Sequence, residues 1–255
     1  MTLRTIQATR YVTPLREGGS LPAIVEADDA GLYVLKFRGA GQGPKVLTAE
    51  LIVGELARAA GLRLPEIAFV TLDAELARTE PDPEIQHLIK SSAGLNLAFD
   101  YLPGSVTFDP VVDRPDARLA SSIVWFDALC SNVDRTARNA NMLMWHRQLW
   151  LIDHGAALYF HHGWKGEDRS QDAFALIRDH VLLGEASALQ EVDAELAAKL
   201  TPAIVRDVVA QVPDEWLAGG AFGTAGAARE AYVDHFTRRL AGPRPFLTEA
   251  LRARG

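Results

Sequence analysis

The hydrophobic pattern of the chain changes character near residue 104. Before that point, short runs of β-branched and aromatic residues are separated by turn formers: "TIQATRYVTPL" (5–15), "REGGSLP", "AIVEA" (23–27), the turn "DDAG" and "LYVLKF" (32–37). This succession predicts an antiparallel meander with a glycine loop between its first two strands. A helix is expected from about Pro44 to Ala60, with proline in its first turn and Gly61 as its stop. "EIAFVTL" (66–72), "IQHLIKSS" (85–92) and "LNLAFDYL" (95–102) read as further strands, and Pro103-Gly104 breaks the pattern. Beyond it, "PDARLASSIVWFDALCSN" (115–132) shows apolar spacing near the helical period, and Thr201-Pro202 forms an N-cap with proline at the first helical position. The last 85 residues read as a packed helical bundle. A β-rich part, 1–104, joined to an α-rich part, 105–255, is an α+β arrangement with room for a ligand cleft between the two.

One stretch interrupts the helical second half. In "NVDRTARNANMLMWHRQLWLIDHG" (132–155), two apolar strands flank the short polar turn "HR", so a hairpin is expected, and a hairpin returns its open ends to one place. Asn139 precedes the first strand and Asp153 follows the second, with Asp134 in the loop just upstream. Each residue alone reads as an ordinary turn or cap former. As a group they make a hard-oxygen cluster suited to Mg²⁺, which takes one or two carboxylates and fills its other positions with phosphate and water. The order D-x-x-x-x-N, then a strand ending in D-x-G, is also the catalytic-loop and metal-loop arrangement of protein kinases.

That arrangement requires a strand lysine for the phosphates and a helical glutamate to hold it. Lys36 in "LYVLKF" meets the first requirement. On the helix, positions 46, 50, 53 and 57 are Val, Glu, Val and Ala, so Glu50 is the one charge on an apolar stripe, whereas Glu55 shares a face with Thr48 and Arg58. A carboxylate facing inward needs a cation, which favours Glu50 over Glu55 as the partner of Lys36. Gly18, Gly19 and Ser20 are placed to wrap phosphates with backbone N–H groups, or to form a plain hairpin turn. The second glycine-rich loop, "GAGQGPK" (39–45), lacks the ending of a Walker A motif. His154, His161 and His162 have no H-E-x-x-H spacing and no cysteine partner, which argues against zinc. No G-x-S-x-G elbow is present.

Composition narrows the classes further. A net charge of −7 disfavours a chain that coats nucleic acid. The single cysteine, Cys130, sits in a helical apolar pattern and reads as a buried small hydrophobe, in keeping with a reducing cytosol. No apolar run suggests a membrane span or a secretory leader, so a cytoplasmic protein is expected.

The segments "YVLKF", "ELIVGELARAAGLRLPE", "FDALCSNVDRTARNANML" and "LWLIDHG" resemble the HipA-like kinases, and particularly their short stand-alone branch, over roughly residues 8 to 216. The resemblance implies a two-lobe protein-kinase-like fold, with a β-rich N-lobe (1–104) and a helical C-lobe (105–255) that carries the catalytic and metal loops. It implies Asp134 as catalytic base, Asn139 and Asp153 as Mg²⁺ ligands, and Lys36 as the lysine that binds the ATP phosphates. Asn141 rivals Asn139, although the five-residue spacing from Asp134 favours Asn139. A hinge at Phe99, Asp100, Tyr101 and Leu102 would meet the adenine edge, and Ser20 is the candidate for autophosphorylation. The family's toxin has an antitoxin partner, but its long N-terminal subdomain has no counterpart here. The expected activity is transfer of the γ-phosphate of ATP to a hydroxyl, a protein Ser or Thr being the first choice of acceptor. A small-molecule phosphotransferase and a pseudokinase that binds nucleotide for regulation are the alternatives.

Overall fold

The computed structural model describes residues 3–15, 21–41, 43–218 and 220–255. Gly18, Gly19 and Ser20, the proposed phosphate loop, lie outside the described residues. Five strands close into a barrel in the order β1 (Thr5–Pro14), β2 (Ala23–Ala27), β3 (Leu32–Lys36), β5 (Gly94–Asp100), β4 (Ile67–Leu72). The first three form the expected antiparallel meander. Closure comes from a pairing that strand patterns alone do not reveal: β1 runs parallel to β4, with Thr5 opposite Phe69 and Gln7 opposite Thr71. Inward positions on these strands carry mostly small side chains, among them Ala8, Ala23, Val25, Ala68, Val70 and Ala98, which lets so few strands enclose a filled interior.

Between β3 and β4 runs α1 (Pro44–Ala60), capped at its C-terminus by Gly61 in the left-handed conformation. Nearly all of its faces are buried, because β4 and β5 lie on one side and the C-terminal helices on the other. The segment 85–92, expected as a strand, instead forms most of helix α2 (Pro83–Ser91) and its C-cap, Ser92. Its apolar residues Ile85, Leu88 and Ile89 are spaced three and four apart, Asp82 accepts from the Glu84 N–H as N-cap, and Pro83 occupies the first helical position. Capping and helical period together outweigh the β-branched content that suggested a strand.

The hairpin is present as β7 (Met142–Trp145) and β8 (Gln148–Leu151), joined through His146 and Arg147, both at positive φ as a two-residue primed turn requires. A two-residue strand, β6 (Val106–Thr107), extends it to three strands. Helix α3 (Ala117–Cys130) starts at Asp116, which accepts from the Leu119 N–H, and ends with Cys130 free and fully buried. The remaining helices are α4 (Leu189–Lys199), α5 (Pro202–Val209, capped by Thr201), α6 (Asp214–Leu217), α7 (Ala225–Ala241) and α8 (Pro245–Arg254). One large core joins α1, α3 and these helices to the outer faces of β4 and β5, and a second fills the barrel. The edge-on contact of Phe69 with Trp216, 5.7 Å between centroids, ties β4 to α6.

Candidate active site

The last residue of β3, Lys36, places its Nζ 2.9 Å from Glu50 Oε1 on α1 and 2.9 Å from Asp153 Oδ1 beyond β8. Three distant parts of the chain therefore meet at one ammonium. Lys36 and Glu50 are buried, while 39% of the Asp153 side chain stays exposed. Burial opposes the charge on Lys36, but its two carboxylate neighbours outweigh that and hold its pKa above the ordinary lysine range. For Glu50, burial dominates and raises the pKa against the pull of Lys36. Asp153 goes the other way: burial is its largest influence, yet the charge and hydrogen bond of Lys36 bring its pKa below the usual carboxylate value. Lys36 therefore stays protonated, and the more accessible carboxylate stays ionised. Glu55, the rejected alternative, pairs with Arg58 at 3.1 Å.

Glu50 is fixed from a second direction, because its Oε2 accepts from the His154 N–H at 2.7 Å. Gly155 is what allows this approach. A Cβ built there would stand 2.6 Å from Val46 Cγ1 and 3.4 Å from Glu50 Oε1, so the third position of D-H-G is small because α1 lies on it. His154 itself is buried between the elements, and burial lowers its pKa to about 3, leaving it neutral.

Asp134 lies in the loop after α3, half-buried. Its Oδ2 accepts from Asn139 Nδ2 at 2.8 Å and from Asn141 Nδ2 at 3.1 Å. Both rival asparagines thus touch the same carboxylate, Asn139 exposed and Asn141 buried. Asn139 turns its amide nitrogen to Asp134, and among the described residues its amide oxygen accepts no hydrogen bond, which leaves an oxygen that could ligate a cation. Asn141 meets the other end of the hairpin through its backbone, where its carbonyl accepts from the Ile152 N–H at 3.0 Å, one residue before Asp153.

A supporting network escaped the sequence reading. Asp127, on α3 and fully buried, receives Arg135 Nε at 2.5 Å, His180 Nε2 at 2.9 Å and Asn132 Nδ2 at 2.9 Å. Arg135 Nη1 also donates to the Asn141 carbonyl, and Asn132 Oδ1 accepts from the Asp134 N–H at 3.2 Å. The loop that carries Asp134 is therefore held to the helix before it and the hairpin after it. Burial alone would raise the Asp127 pKa, but Arg135 and His180 hold it well below the carboxylate range. The signal was available: Asp127 is the one acid in the sequence of α3, as Glu50 is the one charge on the apolar stripe of α1.

Of the four residues at the end of β5, Phe99 lies in the core and Asp100 pairs with Arg4 at 2.8 Å. The Tyr101 N–H donates to the Leu32 carbonyl, whereas among the described residues the Leu102 N–H donates to none. Likewise among the described residues, no three His, Cys, Asp or Glu side chains gather as a metal site, and no helix is long and apolar enough to cross a membrane.

A β-barrel, a lysine–glutamate pair and a loop before a hairpin that joins Asp134 to Asn139 stand together, and the fold is similar to that of a solved kinase. A Helicobacter pylori proinflammatory kinase, CtkA, aligns with a TM-score of 0.57 at 11% identity, covering 97% of this chain and 99% of its own. The Golgi casein kinase with Mn/ADP bound aligns at 0.49 and 11% identity over 98% of this chain and 75% of its own. A search of curated proteins finds no match. The family model described as HipA-like kinase matches residues 9–232, and the chain belongs to that family. Its class of chemistry is that of a phosphotransferase.

Proposed function

We propose that the protein transfers the γ-phosphoryl group of ATP, with Mg²⁺, to a serine or threonine hydroxyl of a protein acceptor. The observation that carries this reading is the position of Lys36, 2.9 Å from both Glu50 and Asp153 and drawn from three separate elements. The β-barrel part, to residue 104, and the helical part after it act as the two lobes around the nucleotide. Lys36, oriented by Glu50, grips the α- and β-phosphates. The Leu102 amide at the end of β5 is the donor for the adenine edge.

The donor set fits a hard cation: the Asp153 carboxylate is ionised and partly exposed, and the Asn139 amide oxygen accepts no hydrogen bond among the described residues. These two residues would hold Mg²⁺, which when bound would neutralise charge on the β- and γ-phosphates. Asp134 orients the acceptor hydroxyl and takes its proton, and its two asparagine neighbours fix the carboxylate in place. Most of the rate enhancement then comes from positioning and electrostatics. Ser20, beside Gly18 and Gly19, is the candidate site of self-modification, and the lone buried Cys130 suits a cytosolic setting.

The test is incubation with γ-labelled ATP and Mg²⁺ in the presence of cell lysate, for the parent and for Asp153→Ala. Label on protein with the parent, and none with a folded Asp153→Ala, is the expected result. Label on a small metabolite would refute the protein acceptor, and equal labelling by parent and variant would refute the site.

A further inference from the structure

A concavity of about 470 Å³, lined by neither Asp134 nor Asp153, lies between the first turn of α1, the segment after D-H-G, and α6 and α7. Its chemistry contrasts with the acidic chain around it. Lys45, His162 and Lys165 line it, and no lining residue carries a carboxylate among the described residues. Its walls are aromatic: Trp164 meets Phe222 and Tyr232 edge-on, at 5.0 and 5.4 Å between centroids.

Two buried nitrogens on lining residues, His161 Nε2 and Trp216 Nε1, have no hydrogen-bond partner among the described residues. The indole N–H is a donor only. His161 is 1% exposed, and its Nδ1 stands 2.9 Å from the Tyr232 hydroxyl, so with the hydroxyl as donor the imidazole carries its proton on the orphaned Nε2. Lys45 Nζ gives two of its protons to the carbonyls of His161 and His162, at 2.7 and 3.3 Å, and retains a third. Orphaned donors in buried sites are uncommon, since leaving one unmet costs free energy. Here both belong to residues that line one concavity, with Lys45, Lys165, Trp164 and Phe222 in the same lining.

We propose that this concavity binds a small aromatic anion, an aryl phosphate or aryl carboxylate, with its ring against Trp164 and Phe222 and its anionic group on Lys45, Lys165 and the Trp216 N–H. The site stands independently of the chemistry proposed for Lys36 and Asp153. It does, however, rest on the helix that carries Glu50.

Calorimetric titration with phenyl phosphate tests it, with benzyl alcohol and inorganic phosphate as the ring-only and anion-only controls. Phenyl phosphate should bind, both controls should bind at least about tenfold more weakly, and Trp216→Phe and Lys165→Glu should each weaken phenyl phosphate by about tenfold or more. Trp216 also packs on Phe69, so the exposed Lys165 provides the arm that leaves the core untouched. Absence of phenyl phosphate binding, a control that binds as well as phenyl phosphate, or parental affinity in either variant would overturn the assignment.

Discussion

Replacing Asp127 by alanine isolates the device that holds the Asp134 loop. The carboxylate and the Arg135 guanidinium are both fully buried, and among the described residues Asp127 is the one acid paired with Arg135. Its removal leaves a buried cation without a counter-charge, which costs about 3–5 kcal/mol. It also strips the acceptor from His180 Nε2 and Asn132 Nδ2. Against a typical domain stability of about 5–15 kcal/mol, the loss is a large fraction. Urea unfolding followed by far-ultraviolet circular dichroism at pH 7 measures it directly. The pH is chosen because a carboxyl with a depressed folded pKa contributes fully above its unfolded value, ordinarily 3.8, and loses that contribution as pH falls further. Adding Arg135→Leu removes the stranded charge, so the double variant should be more stable than the sum of the single losses by about 1 kcal/mol or more. A loss under about 1 kcal/mol for Asp127→Ala, or strict additivity in the cycle, would refute the argument.

Three further outcomes follow from the same geometry. Gly155→Ala drives a Cβ to 2.6 Å from Val46 Cγ1, and should destabilise the fold by about 1–3 kcal/mol in urea; an unchanged midpoint would mean α1 does not rest on the D-H-G turn. Glu50→Gln keeps shape and the acceptor for the His154 N–H but removes one charge from Lys36, and should weaken ADP binding about tenfold by calorimetry, parental affinity being the contrary result. Burial lowers the pKa of His154, His161 and His235 to about 3, so the unfolded chain binds more protons below pH 6.5. Stability should therefore fall on acidification from pH 7 toward pH 5, by roughly 1.4 kcal/mol per pH unit for each histidine once pH is below 6.5, and a flat melting temperature over that range would contradict it.

Much of the fold was legible because each element is punctuated locally. Pro44 and Gly61 bound α1, Thr201-Pro202 opens α5, and the His146-Arg147 turn sets the hairpin. What escaped depends on information that local patterns do not carry. The parallel pairing of β1 with β4 joins strands some sixty residues apart, and the two-residue β6 is too short for any period to register. At Pro83–Ser91 the signals were in conflict, and β-branched composition was given weight over cap and spacing. In the candidate site the choice of Glu50 rested on an energetic argument about a buried charge, and the 2.9 Å contact with Lys36 accords with it. Applied to α3, the same argument would have singled out Asp127.

Buried charge also explains how the helical part presents the Asp134 loop. Arg239 on α7 is fully buried and donates to four carbonyls: Ala128 and Leu129 at the end of α3, and Ser170 and Asp172 in the segment after D-H-G, while its guanidinium lies over the Phe246 ring at 4.8 Å. Burial lowers its pKa to about 10, so it remains charged at neutral pH. The C-terminal carbonyls of a helix carry partial negative charge, and two of them help to hold this cation, with no carboxylate in an ion pair with it among the described residues. One turn of α3 therefore accepts two guanidiniums, Arg239 through its carbonyls and Arg135 through Asp127. The loop bearing Asp134 leaves from that turn, so its first residues are positioned by one cation from α7 and one from the loop itself, with the apolar core.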